Sequence, residues 1–406
     1  MRKYKQVFGT IFGVICFAAL VYYKHEYDRL RYTLEYLDTF GEPKANNEES
    51  RCHFMPIIRH LTPLAEWTVV SDGVFVYSSF WDMGLNMFES RLKTIAVIEN
   101  TGKIPSELSV KLWYSSSLSL LARCEMEHIE QNSNLKIKND VHIVHLVCKP
   151  MIMGNNVQLK MHIPTVVQFS SGGDKWTSLK QIHYSGNYKY VDNRGVVCVM
   201  PSLQFPNSID NVELISHYTL LGFHKFVFYG VFLTENVRKL VSRYEDELGI
   251  IVEEKSFNYV PVLQSAGGGN SSTENVKRRI IELDCQHRHH NTFEFVTVIN
   301  QDQFIIPGRS NVNFIKNMND YISKSKLNLA PKFSIKSHSV CIDDEHEVVK
   351  SKHSLNHQFL LEKRIHKLED IDTNEVVLMR PNMMPPNAAS QLPMENVPIS
   401  AAVVYK

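Results

Sequence analysis

The sequence has almost no charge bias, since 44 lysines and arginines stand against 43 aspartates and glutamates. So balanced a chain offers no electrostatic footprint for nucleic acid, and its function has to reside in local sites. Phosphate-binding glycine loops are missing too. There is no Walker sequence and no dinucleotide fingerprint; the run Gly267–Gly269 follows no strand-like segment and precedes no helix start before Thr273. Cysteines are few, seven in all, and none has the C-x-x-C spacing of a zinc site. At 406 residues the chain is long enough for one large domain or two modest ones, each with its own core.

One long uncharged run stands out, at the start. Val7 to Tyr23 (VFGTIFGVICFAALVYY) carries no charge and is bracketed by Arg2, Lys3 and Lys5 before it and Lys24 after it. At about 1.5 Å of rise per residue this is the short end of a membrane-spanning helix, a length suited to the thinner early secretory membranes. Only basic residues precede the run, whereas Lys24, Glu26, Asp28, Arg29 and Arg31 follow it, so the positive-inside rule keeps the N-terminus cytosolic and places the rest in a lumen. A cleaved signal peptide is the rival reading, with Ala18-Ala19 as the small residues. The anchor is preferred because the large residues Leu20 to Tyr23 follow at once and the polar segment before the run is very short.

Cys16 lies in that span, which leaves Cys52, Cys124, Cys148, Cys198, Cys285 and Cys341, an even set that an oxidising lumen could pair in about 15 ways. The sequon Asn270-Ser271-Ser272 follows Ser265 to Gly269 in a stretch that reads as an exposed loop, making Asn270 the candidate glycosylation site. Residues 24–50 begin helix-like and end polar and unpatterned, as a stem would.

From Trp67 to about Tyr190, short strand-like runs recur at Trp67–Val70, Gly73–Tyr77, Thr94–Glu99, Val110–Tyr114, Val141–Cys148 and Val157–Met161. The pattern then changes. Gly195–Met200 is a continuous apolar run, Asp210–Leu221 has helical spacing ended by Gly222, and Lys225–Tyr229 is a second apolar run. Helical spacing at Glu235–Tyr244, a strand at Ile250–Glu253, a helix from Thr273 to about Arg288 and a strand at Glu294–Ile299 follow, and Phe304–Pro307 reads as a further strand closed by proline. Strands alternating with helices predict a doubly wound α/β domain whose ligand site lies beyond the carboxyl ends of its parallel strands.

These later blocks resemble glycosyltransferase family 92, once catalogued as domain of unknown function 23. The matching stretches are Arg194 to Pro201 (RGVVCVMP), Glu213 to Gly230 (ELISHYTLLGFHKFVFYG), Leu283 to Arg288 (LDCQHR) and Val296 to Pro307 (VTVINQDQFIIP), with Trp67 to Asp82 similar to the family's opening strands. The resemblance implies a type II Golgi enzyme with a GT-A-like nucleotide-sugar fold that moves a hexose, typically galactose from UDP-galactose, onto a glycan acceptor with the help of a divalent metal. It therefore implies a GT-A-like α/β layered domain over 193–406, preceded by a β-rich lumenal region over 51–192, a stem over 24–50, one transmembrane helix over 7–23 and a cytosolic tail over 1–6. The expected location is the Golgi or endoplasmic reticulum membrane, with the bulk of the chain lumenal.

The chain departs from the family at the metal-binding turn. The family pattern Asp-x-Asp-Glu is here Asn300-Gln301-Asp302-Gln303, which keeps one carboxylate of three. Asp302 and Asn300 are the candidate metal ligands at the turn, Asp302 being equally suited to stabilising a tight turn through its own backbone. Oxygen ligands suit Mn²⁺ or Mg²⁺, and Mn²⁺ is the expected ion. His346 falls where GT-A enzymes recruit a later histidine ligand, with His353 as the alternative. Candidate donor contacts are Pro201, Gln303 and Arg288, the last either meeting phosphate or forming a structural salt bridge. His287, His289 and His290 are adjacent on a helix and do not face one point, so they read as a solvated helix end. Glu213 and Tyr218 read as packing and capping residues. The sequence singles out no catalytic base; Asp343, Asp344 and Glu345 are candidates by location alone. Two functions follow: an active transferase, with Arg309 and Lys332 as possible cations if no metal is used, or a pseudo-glycosyltransferase that kept the fold and serves as a lumenal binding protein.

Overall fold

Strand-forming runs of the first half pair into one sheet. In chain order these are β1 (Thr68–Ser71), β2 (Val74–Asp82), β3 (Arg91–Ile98), β4 (Leu108–Trp113), β5 (Ser119–His128), β6 (His142–Pro150), β7 (Val166–Ser171) and β8 (Lys180–His183). The structure is a computed structural model, and it describes residues 67–83, 90–99, 108–114, 118–128, 141–151, 163–172, 175–184, 192–200, 208–230, 233–255, 257, 270–290, 292–307, 313–327, 329–338, 340–342, 365–367, 376–383, 394–398 and 402–405. The span over 7–23, the stem, Cys52 and the strand expected at Val157–Met161 lie outside the described residues. Among the described residues no helix is long and apolar enough to cross a membrane.

The sheet order is β1-β2-β3-β6-β5-β4-β7-β8, and β8 also pairs with β2 in parallel, Ser79 opposite Ile182 and Phe80 opposite His183. The sheet therefore closes on itself, which leaves β1 as the strand outside the ring and removes most exposed edges. Its interior is filled by Val76, Leu92, Leu112, Leu146, Val167 and Phe169. Cys124 and Cys148, directly opposite each other on β5 and β6, form a disulfide. β2 and β3 are buried along almost their whole length because their second face is covered as well.

What covers it is the second half of the chain. This half runs β9 (Asp192–Met200), α1 (Ser208–Leu220), β10 (Phe223–Tyr229), α2 (Glu235–Leu248), β11 (Ile251–Lys255), α3 (Asn270–His289) and β12 (Phe293–Asn300). There follow β13 (Phe304–Pro307), α4 (Phe314–Lys324), β14 (Lys332–Ile335), β15 (Ser337–His338), β16 (Val340–Ile342), β17 (Ile365–Lys367), β18 (Val376–Met379), β19 (Met394–Asn396) and β20 (Ala402–Tyr405). β11, β10, β9 and β12 are mutually parallel, and β18, β14 and β19 extend the same sheet beyond β12. Alternation along β9 divides its side chains: Val197 and Val199 join the core beneath α1, α2 and α4, whereas Val196, Cys198 and Met200 face the core beneath α3.

The core beneath α3 is shared. Phe75, Tyr77, Ile95, Val97 and Ile143 of the closed sheet sit in the same cluster as Val196, Val227, Ile280, Ile281 and Val298. The change of sheet near residue 192 thus coincides with no break in packing, and Met55–Lys406 clusters as one unit.

α3 is pinned to three strands at once. Arg278 Nη2 donates to the Val298 carbonyl on β12 at 3.1 Å, Cys285 is disulfide-bonded to Cys198 on β9, and Asp284 accepts from the Tyr229 hydroxyl of β10 at 2.7 Å. The helix begins at Asn270, three residues before the expected Thr273, so the sequon opens α3 instead of lying in a loop.

Gly195 lies where β9 passes under Phe223. A Cβ there would fall 2.5 Å from Phe223 Cδ1, and Phe223 is fully buried with no room to swing away. Gly195→Ala is expected to cost about 1–3 kcal/mol in urea denaturation, in the range typical of overpacked cores.

Candidate active site

In an open parallel sheet the ligand site lies at the carboxyl ends of the strands, where the connections leave in opposite directions. Here that place is between β9 and β12: from β9 the chain continues to β10 on one side, while β12 lies on the other, and Met200 pairs with Asn300 at the ends of the two strands. The turn Asn300–Gln303 leads directly off β12. Pro201, which follows Met200, lies outside the described residues, as do His346, His353, Arg309 and the acidic run Asp343 to Glu345.

The turn is closed from within. The Gln303 N–H donates to the Asn300 carbonyl at 3.1 Å, and the Asn300 N–H donates to Gln303 Oε1 at 2.8 Å. It is also gripped by α1. Gln301 Nε2 donates to Asn211 Oδ1 at 2.7 Å, and the Tyr218 hydroxyl donates to the Gln303 carbonyl at 3.0 Å while accepting from the Ile305 N–H at 3.2 Å. His217 Nε2 donates to the Ile305 carbonyl at 2.9 Å, so the ring is the Nε2–H tautomer, and burial lowers its pKa and keeps it neutral. Burial also raises the Tyr218 pKa far above the usual phenol range, so its hydroxyl stays protonated. Gln301 and Gln303 are buried, and Asp302 between them is half-buried.

Tyr218 is thus packed, as expected, and also serves as a two-way hydrogen-bond bridge. Asn211 and His217 escaped the sequence reading. Their trace was there: position 211 lies seven residues before Tyr218, on the same helix face, and is a polar residue on an otherwise apolar stripe. Tyr218→Phe leaves the Gln303 carbonyl and the Ile305 N–H without this partner, and should cost about 1–3 kcal/mol in urea denaturation.

One expectation for the end of α3 is corrected. The histidines do not form a solvated helix end, because His289 is 3% exposed and His287 packs under the closed sheet with its Nε2 3.2 Å from His145 Nε2 on β6. Burial, with Lys93 nearby, holds His287 down at about 3. Of the two roles left open for Arg288, the structure contains the salt bridge: its Nε donates to Asp284 Oδ2 at 2.6 Å and its Nη1 donates to His183 Nε2 at 2.9 Å, with the guanidinium 5.7 Å from the Phe80 ring centre. Burial would raise the Asp284 pKa, but Arg288 overrides it and holds the carboxyl down at about 2. Lys332 opens β14 half-buried, and its pKa is lowered by burial and then by Arg279.

A divalent metal needs several oxygen ligands. At the turn the side chains offer the Asp302 carboxylate and the Asn300 amide oxygen, while Gln303 Oε1 is committed to the Asn300 N–H. Among the described residues no three histidine, cysteine, aspartate or glutamate side chains converge on one point. The described donor set does not amount to a metal site.

A doubly wound α/β layer with a polar turn at its switch point places the chain among the α/β proteins that bind ligands at the carboxyl ends of parallel strands. The profile of glycosyltransferase family 92 matches residues 194–404, more than half of the chain, and the protein belongs to that family. The match reaches through the C-terminal third and does not include Trp67 to Asp82, the stretch whose likeness to the family's opening strands was expected. β20 explains part of this, since it pairs antiparallel with β13, the strand that leaves the turn, Phe304 opposite Tyr405.

Comparison with curated protein sequences gives no match. Among solved structures, the chain is similar to residues 1–349 of TarS from S. aureus (15% identity, 39% of this chain and 38% of that one, TM-score 0.22). The same protein in complex with UDP gives 17% identity, the same coverages and a TM-score of 0.22. HddC from Yersinia pseudotuberculosis gives 10% identity over 50% of this chain and 89% of that one, with a TM-score of 0.23. The chain spans little more than a third of the TarS fragment.

Proposed function

We propose that the protein moves a hexose, galactose from UDP-galactose, onto a glycan acceptor in the lumen of the Golgi or endoplasmic reticulum, anchored by the span over 7–23. The observation that carries this reading is the place of Asp302: the one carboxylate kept from the family pattern sits in a turn at the switch point of the parallel sheet, locked by three side chains of α1. The Cys124–Cys148 and Cys198–Cys285 disulfides suit an oxidising compartment. A fixed carboxylate at that point can accept a hydrogen bond from a hydroxyl of the donor sugar and so hold the donor in place. The full chain should release UDP from UDP-galactose in the presence of glycan acceptors, and Asp302→Ala should lower that rate by about 100-fold or more.

The amides at Asn300 and Gln303 favour a second reading, a pseudo-glycosyltransferase that binds a lumenal partner. UDP binding with no transfer to any acceptor and no effect of Asp302→Ala on UDP release would select it.

A further inference from the structure

An acidic turn in a glycosyltransferase holds its carboxylates together because a cation sits among them; without the cation they would repel. In this chain the corresponding turn needs no ion to close. The residue in the position of the family's glutamate, Gln303, is 1% exposed, and its Oε1 accepts the Asn300 N–H at 2.8 Å while its carbonyl accepts the Tyr218 hydroxyl at 3.0 Å. Gln301 is tied through its Nε2 to Asn211 at 2.7 Å.

We propose that this turn is closed by amides in place of a metal ion: it takes up no divalent cation, and any nucleotide the cleft holds is held without one. The nucleotide clause rests on the nucleotide-sugar reading above; the cation clause does not. Turning Gln303 Oε1 toward an ion would strip the Asn300 N–H of its acceptor, and the amide oxygen gained by the ion carries no net charge. The α1 clamp does the organising that a cation would otherwise do, since Tyr218 and Asn211 fix the turn on both sides of Asp302.

Two measurements on the full chain test this. In the first, Mn²⁺ alone is added and the free-ion electron paramagnetic resonance signal is followed. The wild-type chain should leave that signal unchanged, and the Asn300→Asp/Gln303→Glu variant should take up one ion at least about tenfold more tightly than wild type. Uptake of one Mn²⁺ by wild type that a folded Asp302→Ala variant no longer shows overturns the proposal. In the second, UDP is titrated by calorimetry with EDTA and with Mn²⁺. The affinities should agree within about threefold, and a gain of about tenfold or more with Mn²⁺ overturns the proposal. Absence of UDP binding under both conditions overturns the nucleotide-sugar reading, and the Mn²⁺ signal then decides the cation clause on its own.

Discussion

Arg288→Met should destabilise the protein by about 3–5 kcal/mol in urea denaturation followed by tryptophan fluorescence. Asp284 is fully buried and ionised, with its Oδ2 held by Arg288 at 2.6 Å and by the Tyr229 hydroxyl at 2.7 Å. Methionine preserves the apolar stem of arginine but removes the guanidinium beside Phe80, and it leaves the carboxylate in a low-dielectric space with neutral donors alone. The loss comes from the stranded charge more than from the bond itself. Asp284→Asn combined with Arg288→Met should therefore recover a large part of the deficit, because the asparagine carries no charge to strand. If the double variant is as unstable as Arg288→Met alone, the penalty is one of packing and the electrostatic account fails.

Lowering the pH from 6.5 to 5.5 should remove up to roughly 4 kcal/mol of stability. Burial holds His183, His287 and His289 at about 3 and places His145 well below its ordinary value. Their ordinary value in an unfolded chain is about 6.5. Above that pH they are neutral in both states and exert no pull. As the pH falls below it, the unfolded chain takes up protons that the folded chain refuses, and stability declines until the folded-state values near 3 are reached. Over this unit of pH each histidine contributes about 1 kcal/mol by linkage. The sum of four is an upper bound, because His145, His183 and His287 are only partly buried residues. Urea midpoints at pH 7.5, 6.5 and 5.5 measure the slope, and His145→Gln/His287→Gln should flatten it by about half. A midpoint independent of pH across this range would show that these rings titrate freely.

The parallel layer was legible in the sequence because a strand buried on both faces leaves a continuous apolar run. The run Gly195–Met200 became part of β9, Lys225–Tyr229 became β10 and Glu294–Ile299 became β12, with α1 between the first two as its spacing and Gly222 indicated. β5, β7 and β8 were missed: β5 (SLLARCEMEH) has a charged, solvated face, β7 (VVQFSS) shows no clean alternation, and β8 (KQIH) is four residues long. No local pattern encodes which distant strands meet, so neither the return of β8 to β2 nor the Cys198–Cys285 bridge across 87 residues could be read in advance. At the site, the position of the turn followed from the strand before it. Its stiffness did not, because the clamping atoms of Asn211, His217 and Tyr218 lie more than 80 residues away in the chain. The histidines of α3 were misjudged for the same reason: the surroundings of His287 are set by β6 and β2, which no helix pattern reveals.

The core shared beneath α3 bears on how such a chain can be inherited. The family's hallmark begins at Arg194, yet the side chains that complete its interior begin as far back as Phe75. A genetic exchange that joined a new partner at residue 193 would carry off the recognisable segment and leave one whole wall of it bare, with Ile280, Ile281 and Val298 facing water. The closed sheet is therefore bound to travel with the transferase segment as a single heritable piece. Substitutions in Phe75, Tyr77 and Ile143 should be answered by changes on α3, so the two halves evolve at matched pace even though only one carries the family's signature.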